Sequence, residues 1–127
     1  MKRILYLFAA ALMVLSLTGC GSDDGDIEIK LAPIHEVSVT FAKSLPPQVI
    51  VYIQGGLADS CTAFHELKTE RSGNTVTITV TVQRPREAIC AEVYGFFERN
   101  ENLGSDFTSG ATYTVKVNDA TETFIMP

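Results

Sequence analysis

Between Asn74 and Arg84 the chain alternates without a break, Val76, Ile78, Val80 and Val82 interleaving with Thr75, Thr77, Thr79 and Thr81. Strand side chains point to opposite faces with period two, so this run predicts a half-buried β-strand with one aliphatic and one threonine face. On a helix the same residues would scatter round the axis. Thr62 to Arg71, followed by Ser72-Gly73, predicts the other arm of a hairpin. Upstream, Val37, Val39 and Phe41 alternate with Ser38 and Thr40, and Pro46-Pro47 ends that strand. Gln48 to Gln54 carries Val49-Ile50-Val51-Tyr52-Ile53, an unbroken apolar run that suits a strand with little exposed face. Gly55 to Ser60 then reads as a loop leading to Cys61. Downstream, Cys90 to Glu98 is expected to be a strand, Arg99 to Asn102 a polar break, Ala111 to Val117 a strand with Tyr113, Val115 and Val117 on one face, Asn118-Asp119 a tight turn, and Thr121 to Ile125 the last strand. No segment sustains a helical period. About seven short strands at intervals of roughly ten residues predict an all-β sandwich.

A length of 127 residues with 46% hydrophobic content suits one domain with one core. The formal net charge is −5, and the cations are scattered rather than gathered into a patch. An acidic chain of this kind repels nucleic acid, so no nucleic-acid partner is expected.

The N-terminus adds an address. Met1-Lys2-Arg3 is a short basic start, and Ile4 to Leu17 is apolar over roughly 14 residues, the size of a signal-peptide core rather than the about 20 needed to span a bilayer. Leu17-Thr18-Gly19-Cys20 resembles the lipobox of bacterial lipoproteins. That resemblance implies cleavage after Gly19 and acylation of Cys20, hence a membrane partner reached through lipid at Cys20. It also implies a place on the extracytoplasmic face of a bacterial membrane, and Gly21 in place of Asp favours the outer membrane where there are two. Residues 1–19 are then the signal, 20–32 the lipidated cysteine with a flexible acidic spacer, and 33–127 the sandwich. The aspartates Asp23, Asp24 and Asp26 do not fall in the frame of a calcium loop. With Cys20 used by lipid, Cys61 and Cys90 remain in an oxidising compartment and are expected to pair. They lie at the hairpin end opposite its turn. Closing a loop of about 30 residues is worth roughly 3–4 kcal/mol on the chain-entropy account.

Phe107-x-x-Gly110-x-Thr112-Tyr113-x-Val115-x-Val117 is similar to a strand of fibronectin-III and related immunoglobulin-like sandwiches. The resemblance implies a single immunoglobulin-like antiparallel β-sandwich, with a corner tyrosine whose hydroxyl fixes the backbone. A wider set of residues resembles a class of exported bacterial β-sandwich domains: Gly55-Gly56, Cys61, Arg71-Ser72-Gly73-Asn74, Arg84-Pro85, Cys90, Leu103-Gly104 and Gly110 to Asn118. That resemblance supports fold and disulfide and transfers no catalytic residue.

The candidate chemistry is sparse. His35-Glu36 and His65-Glu66, with Asp59, offer zinc-ligand types, but neighbours on a strand face opposite ways, so each pair gives one ligand per face. No metal or other cofactor is expected. Ser44, Ser60, Ser72, Ser105 and Ser109 lie in no nucleophile elbow, which argues against an enzyme. Two binding candidates remain: the glycine-rich loop Gly55, Gly56, Leu57 and Asp59, and an aromatic patch of Tyr94, Phe96 and Phe97, which cannot all face one core. The sequence thus points to an envelope-anchored binding module, with strand-edge assembly as the alternative and a metal or hydrolytic protein behind both.

Overall fold

The computed structural model describes residues 26–127. The export signal, Cys20 and the spacer up to residue 25 lie outside the described residues. Eight strands follow: β1 (Ile27–Leu31), β2 (Ile34–Ala42), β3 (Gln48–Leu57), β4 (Ala63–Ser72), β5 (Thr75–Pro85), β6 (Gly95–Gly104), β7 (Thr112–Val117) and β8 (Ala120–Ile125). β1, β4, β5, β7 and β8 make one sheet, and β2, β3 and β6 the other, with β3 central. The period-two pattern does what it predicts. Val76, Ile78 and Val80 of β5, Val49, Val51 and Ile53 of β3, and Val115 and Val117 of β7 are all but fully buried in one cluster between the sheets. Burying such aliphatic surface is the main favourable term in holding two sheets together.

β5 has three partners on two edges. β4 takes one edge along its whole length, from Ala63↔Gln83 to Ser72↔Thr75. The other edge is divided. β1 pairs antiparallel with its upper part, Ile27↔Pro85 to Leu31↔Thr81, and β7 pairs parallel with its lower part, Thr75↔Thr114 to Ile78↔Val117. At Val80 one strand has ended and the other has turned away, which would leave backbone groups unpaired at the edge of the core. Asn118 fills the gap. Its Oδ1 accepts from the Val80 N–H at 2.9 Å, and its Nδ2 donates to the Ala32 carbonyl at 2.8 Å and the Val80 carbonyl at 2.9 Å. Asn118 also makes the β7–β8 turn, with φ of 52°, a conformation that asparagine tolerates better than most residues.

The corner tyrosine implied by resemblance is present. Tyr113 is buried, and its hydroxyl accepts the Thr108 N–H at 2.7 Å. That amide, helped by the Thr108 hydroxyl, holds the phenol below the ordinary tyrosine pKa. Phe107 meets Tyr113 edge-on at 4.9 Å, and the Arg71 guanidinium lies 4.2 Å from the Phe107 ring centre.

Four expectations need correction. The expected all-β sandwich is present, with eight strands among the described residues, but one of the pairings, β5 with β7, is parallel rather than antiparallel. The spacer does not run to residue 32, because Ile27–Leu31 is β1. Its Ile-Glu-Ile-Lys-Leu alternation carries the strand period, which the acidic residues just before it masked. The polar break at Arg99 to Asn102 is the middle of β6, while Cys90 to Tyr94 is irregular. An edge strand needs only its backbone paired, so polar side chains do not interrupt it. Finally, β3 continues through Gly55, Gly56 and Leu57, which pair with Phe97, Phe96 and Gly95.

The Asn118 junction gives a direct test. Asn118→Gly preserves the turn conformation but removes the amide, and should lower the unfolding free energy in urea by about 1–3 kcal/mol. Asn118→Asp should cost at least as much, since a second carboxylate oxygen would face the Ala32 and Val80 carbonyls. Wild-type stability in the glycine variant would mean that the side-chain bonds are dispensable.

Candidate functional site

The chemistry gathers at the end of the sandwich where β5 finishes and β4 begins. Asp59 organises it. Its Oδ1 accepts from the Cys61 N–H at 3.0 Å, the Thr62 N–H at 2.9 Å and the Thr62 hydroxyl at 2.8 Å, which wraps the 58–62 loop around one oxygen. Its Oδ2 accepts from Arg84 Nε at 2.7 Å. Arg84 reaches onward to the Ala88 carbonyl at 3.3 Å and lies 3.4 Å from Cys90 Sγ. The expected disulfide joins Cys61 to Cys90 with Cα atoms 5.6 Å apart. Ser60 and Ala91 add a reciprocal strap, the Ser60 N–H to the Ala91 carbonyl at 3.0 Å and the Ala91 N–H to Ser60 Oγ at 2.9 Å. Both loops at this end are thereby fixed to each other and to β5. The Asp59 carboxyl is pulled down to about 2, chiefly by the Thr62 hydroxyl, then by Arg84 and the Cys61 amide, against an opposing push from burial.

Asp59, Cys61 and Cys90 are also a trio of metal-ligand type, their donor atoms lying within 4.8 Å of one another. Joined in a disulfide, the two sulfurs offer no thiolate, and Asp59 already has its partners. The two histidines do not converge with it. His35 meets Tyr94 on the smaller sheet, and His65 Nδ1 lies 3.0 Å from Thr81 Oγ1 on the larger one.

The glycines expected to form a loop are seats for rings instead. Gly55 faces the core, and a Cβ there would overlap the Phe97 ring. Gly56 faces outward, where a Cβ would overlap the Tyr94 hydroxyl and come within 2.8 Å of His35 Nε2. The aromatic patch is divided accordingly. Phe97 is buried against Phe64, with ring centres 5.4 Å apart, while Tyr94 and Phe96 stay exposed. The third ring outside is His35, hydrogen-bonded to the Tyr94 hydroxyl and edge-on to Phe96 at 5.4 Å. Sequence reasoning weighed His35 only as a metal ligand and missed its place in this cluster, because it comes from the far strand of the sheet. On the same strand as Phe96, Glu98 accepts from the Tyr52 hydroxyl at 2.7 Å and is the main cause of the Tyr52 pKa rising to about 12.

A cleft of about 420 Å³ opens beside this cluster, lined by Lys30, Leu31, Pro33, Val82, Asp59 and Arg84 among others. Gly56 belongs to both, as the seat of Tyr94 and as part of the cleft wall. β1 turns an ion pair toward the cleft, Lys30 to Glu28 at 3.3 Å. The lining thus combines apolar side chains with charges of both signs. Leu57 and Ala58 complete the picture for the predicted loop: its strand part supplies the glycine seats, and its true loop part, from Ala58, supplies the Asp59 brace.

Residues 51–126 match the ORF11 beta-sandwich domain. Two relatives come from Herpetosiphon aurantiacus. The "Uncharacterized 10.2 kDa protein in HgiCIIM 5'region" is 42% identical over 89 residues, covering 70% of this chain and 94% of the relative. The "Uncharacterized 10.2 kDa protein in HgiBIM 5'region" is 44% identical over 79 residues, covering 62% and 95%. No solved structure matches.

Two outcomes follow from this geometry. A carboxylate whose folded pKa is depressed contributes stability that is present above its unfolded value and is lost as pH falls through the folded one. For Asp59 the window is about pH 4 down to about 2. Asp59→Asn should therefore melt below wild type at pH 7, with the gap closing across that window; a gap that is constant from pH 7 to pH 2 would mean the carboxylate charge is not what holds the loops. Separately, Gly55→Ala should lower stability by about 1–3 kcal/mol by overpacking the core. Gly56→Ala should change it much less, displacing an exposed hydroxyl and ring. Equal losses from the two would show that both rings are core.

Proposed function

The chain belongs to the ORF11 β-sandwich domain family, and we propose, from its own residues, that it is a lipid-anchored envelope protein acting as a binding module. The lipobox-like Leu17-Thr18-Gly19-Cys20 after an apolar run supports the anchor. Binding rests on one observation, the open cleft whose wall is braced by Asp59, Arg84 and the disulfide. A site whose supporting groups are locked before a ligand arrives loses little entropy on binding. Apolar lining from Leu31, Pro33 and Val82, beside the paired charges Lys30 with Glu28 and Arg84 with Asp59, suits a ligand with an apolar body and a polar group. We read it as a binder rather than an enzyme, since His35 is engaged by Tyr94 and His65 by Thr81, and Ser60 Oγ accepts the Ala91 amide.

Strand-edge assembly has less support. β6 has β3 on one side alone, but Glu98, Arg99 and Glu101 are charges of the kind that discourage edge pairing.

Two measurements test the proposal. The full-length chain expressed in a bacterial envelope should enter the detergent phase on Triton X-114 partition and begin, by mass, at an acylated Cys20; a Cys20 without acyl mass would end the anchor reading. Mild cross-linking of the lipidated protein should recover a ligand that Leu31→Glu loses with the fold intact. Recovery unchanged by that substitution would remove the cleft from the account.

A further inference from the structure

The braced end also carries much of the exposed apolar surface. Ile89 is fully exposed at 102%, Val93 at 64%, Phe96 at 58% and Tyr94 at 47%. Ile27, exposed at 42%, opens β1 at the same end, where it pairs with Pro85 and the Arg86 N–H donates to the Asp26 carbonyl at 3.1 Å. The Ile89 backbone is not loose. Ala88 on one side accepts from Arg84, Cys90 on the other is bonded to Cys61, and Ala91 is strapped to Ser60. Ile89 therefore stands outward from a backbone held on both sides, and turning it inward would break that frame. Apolar side chains fixed in water in this way mark a contact surface.

The chain upstream favours one occupant. If Cys20 is acylated, as the function proposed above requires, residues 21–26 are all that separate the lipid from β1. Fully extended they reach at most about 20 Å. The end that carries Asp26 is then the end held near the bilayer. We propose that Ile89, Val93, Tyr94 and Phe96, with Ile27, insert into the headgroup–acyl boundary of the bilayer that holds the anchor, and so set the orientation of the sandwich on the membrane. The chemistry fits that depth: aliphatic tips for the acyl edge, and a tyrosine with an apolar body and a polar end for the headgroups. Attraction to anionic lipid plays no part. Glu87 and Glu92 flank the segment, and Arg86 is paired with Asp26 at 2.9 Å.

The chain has no tryptophan, so a single one placed at the contact reports without background. The lipidated full-length Ile89→Trp protein is reconstituted in phosphatidylcholine vesicles with and without bromine near the acyl carbonyl, beside Leu45→Trp, a control at the opposite end that is 99% exposed. Expected are a blue-shifted emission and at least threefold bromine quenching for tryptophan at 89, against water-like emission and little quenching at 45. Quenching at 89 should persist when part of the lipid is phosphatidylglycerol. Water-like, unquenched emission at 89 in protein that is vesicle-bound overturns the docking alone. A blue shift without bromine quenching would mean that a second copy covers this end, and also overturns it, as does quenching that requires phosphatidylglycerol. Failure to bind vesicles, with Cys20 unmodified by mass, would instead defeat the anchor on which the inference rests.

Discussion

A strand has two edges, and β5 has to serve three neighbours with them. Backbone N–H and C=O groups at the margin of a core must be paired, because leaving one dry costs about as much as a lost hydrogen bond. The chain meets that demand by giving one edge of β5 to β1 and β7 in succession and closing the gap between them with the Asn118 amide. Much of the architecture depends on this arrangement. It lets β1 and β7 approach Val80 from opposite directions, and it lets the chain leave β1 at Ala32 and cross to β2 in the other sheet. The cleft lies beneath that crossing, with Leu31 and Pro33 in its wall.

The far end of β5 is held differently. There the cost is ordering two irregular connections, and a dense set of local bonds offsets it: one carboxylate with four donors, one guanidinium spanning both loops, and a covalent link behind them. The Gly55-Gly56 pair belongs to the same construction. Consecutive strand residues face opposite ways, so two glycines in a row clear space on both faces at once, for Phe97 inside and for Tyr94 with His35 outside. Core packing and surface chemistry are therefore adjusted at adjacent positions of one strand.

Much of the fold was legible because its signals are local. Alternation in Val76 to Val82 and in Tyr113 to Val117, the apolar run of β3, and the Asn118 turn each declare themselves within a few residues. The disulfide was expected once the lipobox resemblance assigned Cys20 to lipid and left Cys61 and Cys90 on either side of the hairpin. What escaped depends on pairing across the chain. β6 is a strand through its polar stretch because β3 lies beside it, and Gly55 to Leu57 looked like a loop because glycine is read as a turn residue unless the ring that needs its space is known. The site shows the same limit. Asp59 and the aromatic residues could be singled out as types, but that Phe97 turns inward, that His35 takes its place outside, and that Arg84 ties Asp59 to the Cys90 loop are facts of register rather than of composition.

The placement of β1 has a mechanical side. The chain enters the sandwich at Asp26, at the top of a strand aligned antiparallel with β5 and hydrogen-bonded to it from Ile27 to Leu31. A pull on the upstream chain, directed away from the domain along β1, loads that ladder in shear, so its bonds share the force instead of parting one after another as they would in a peel. At the lower end the strain would arrive at Ala32, where the Asn118 amide joins β1 to β5 and to the β7–β8 turn. Tension on the upstream chain would thus pass directly into the middle of the larger sheet, and the domain should yield to force as one body before its leading strand peels away.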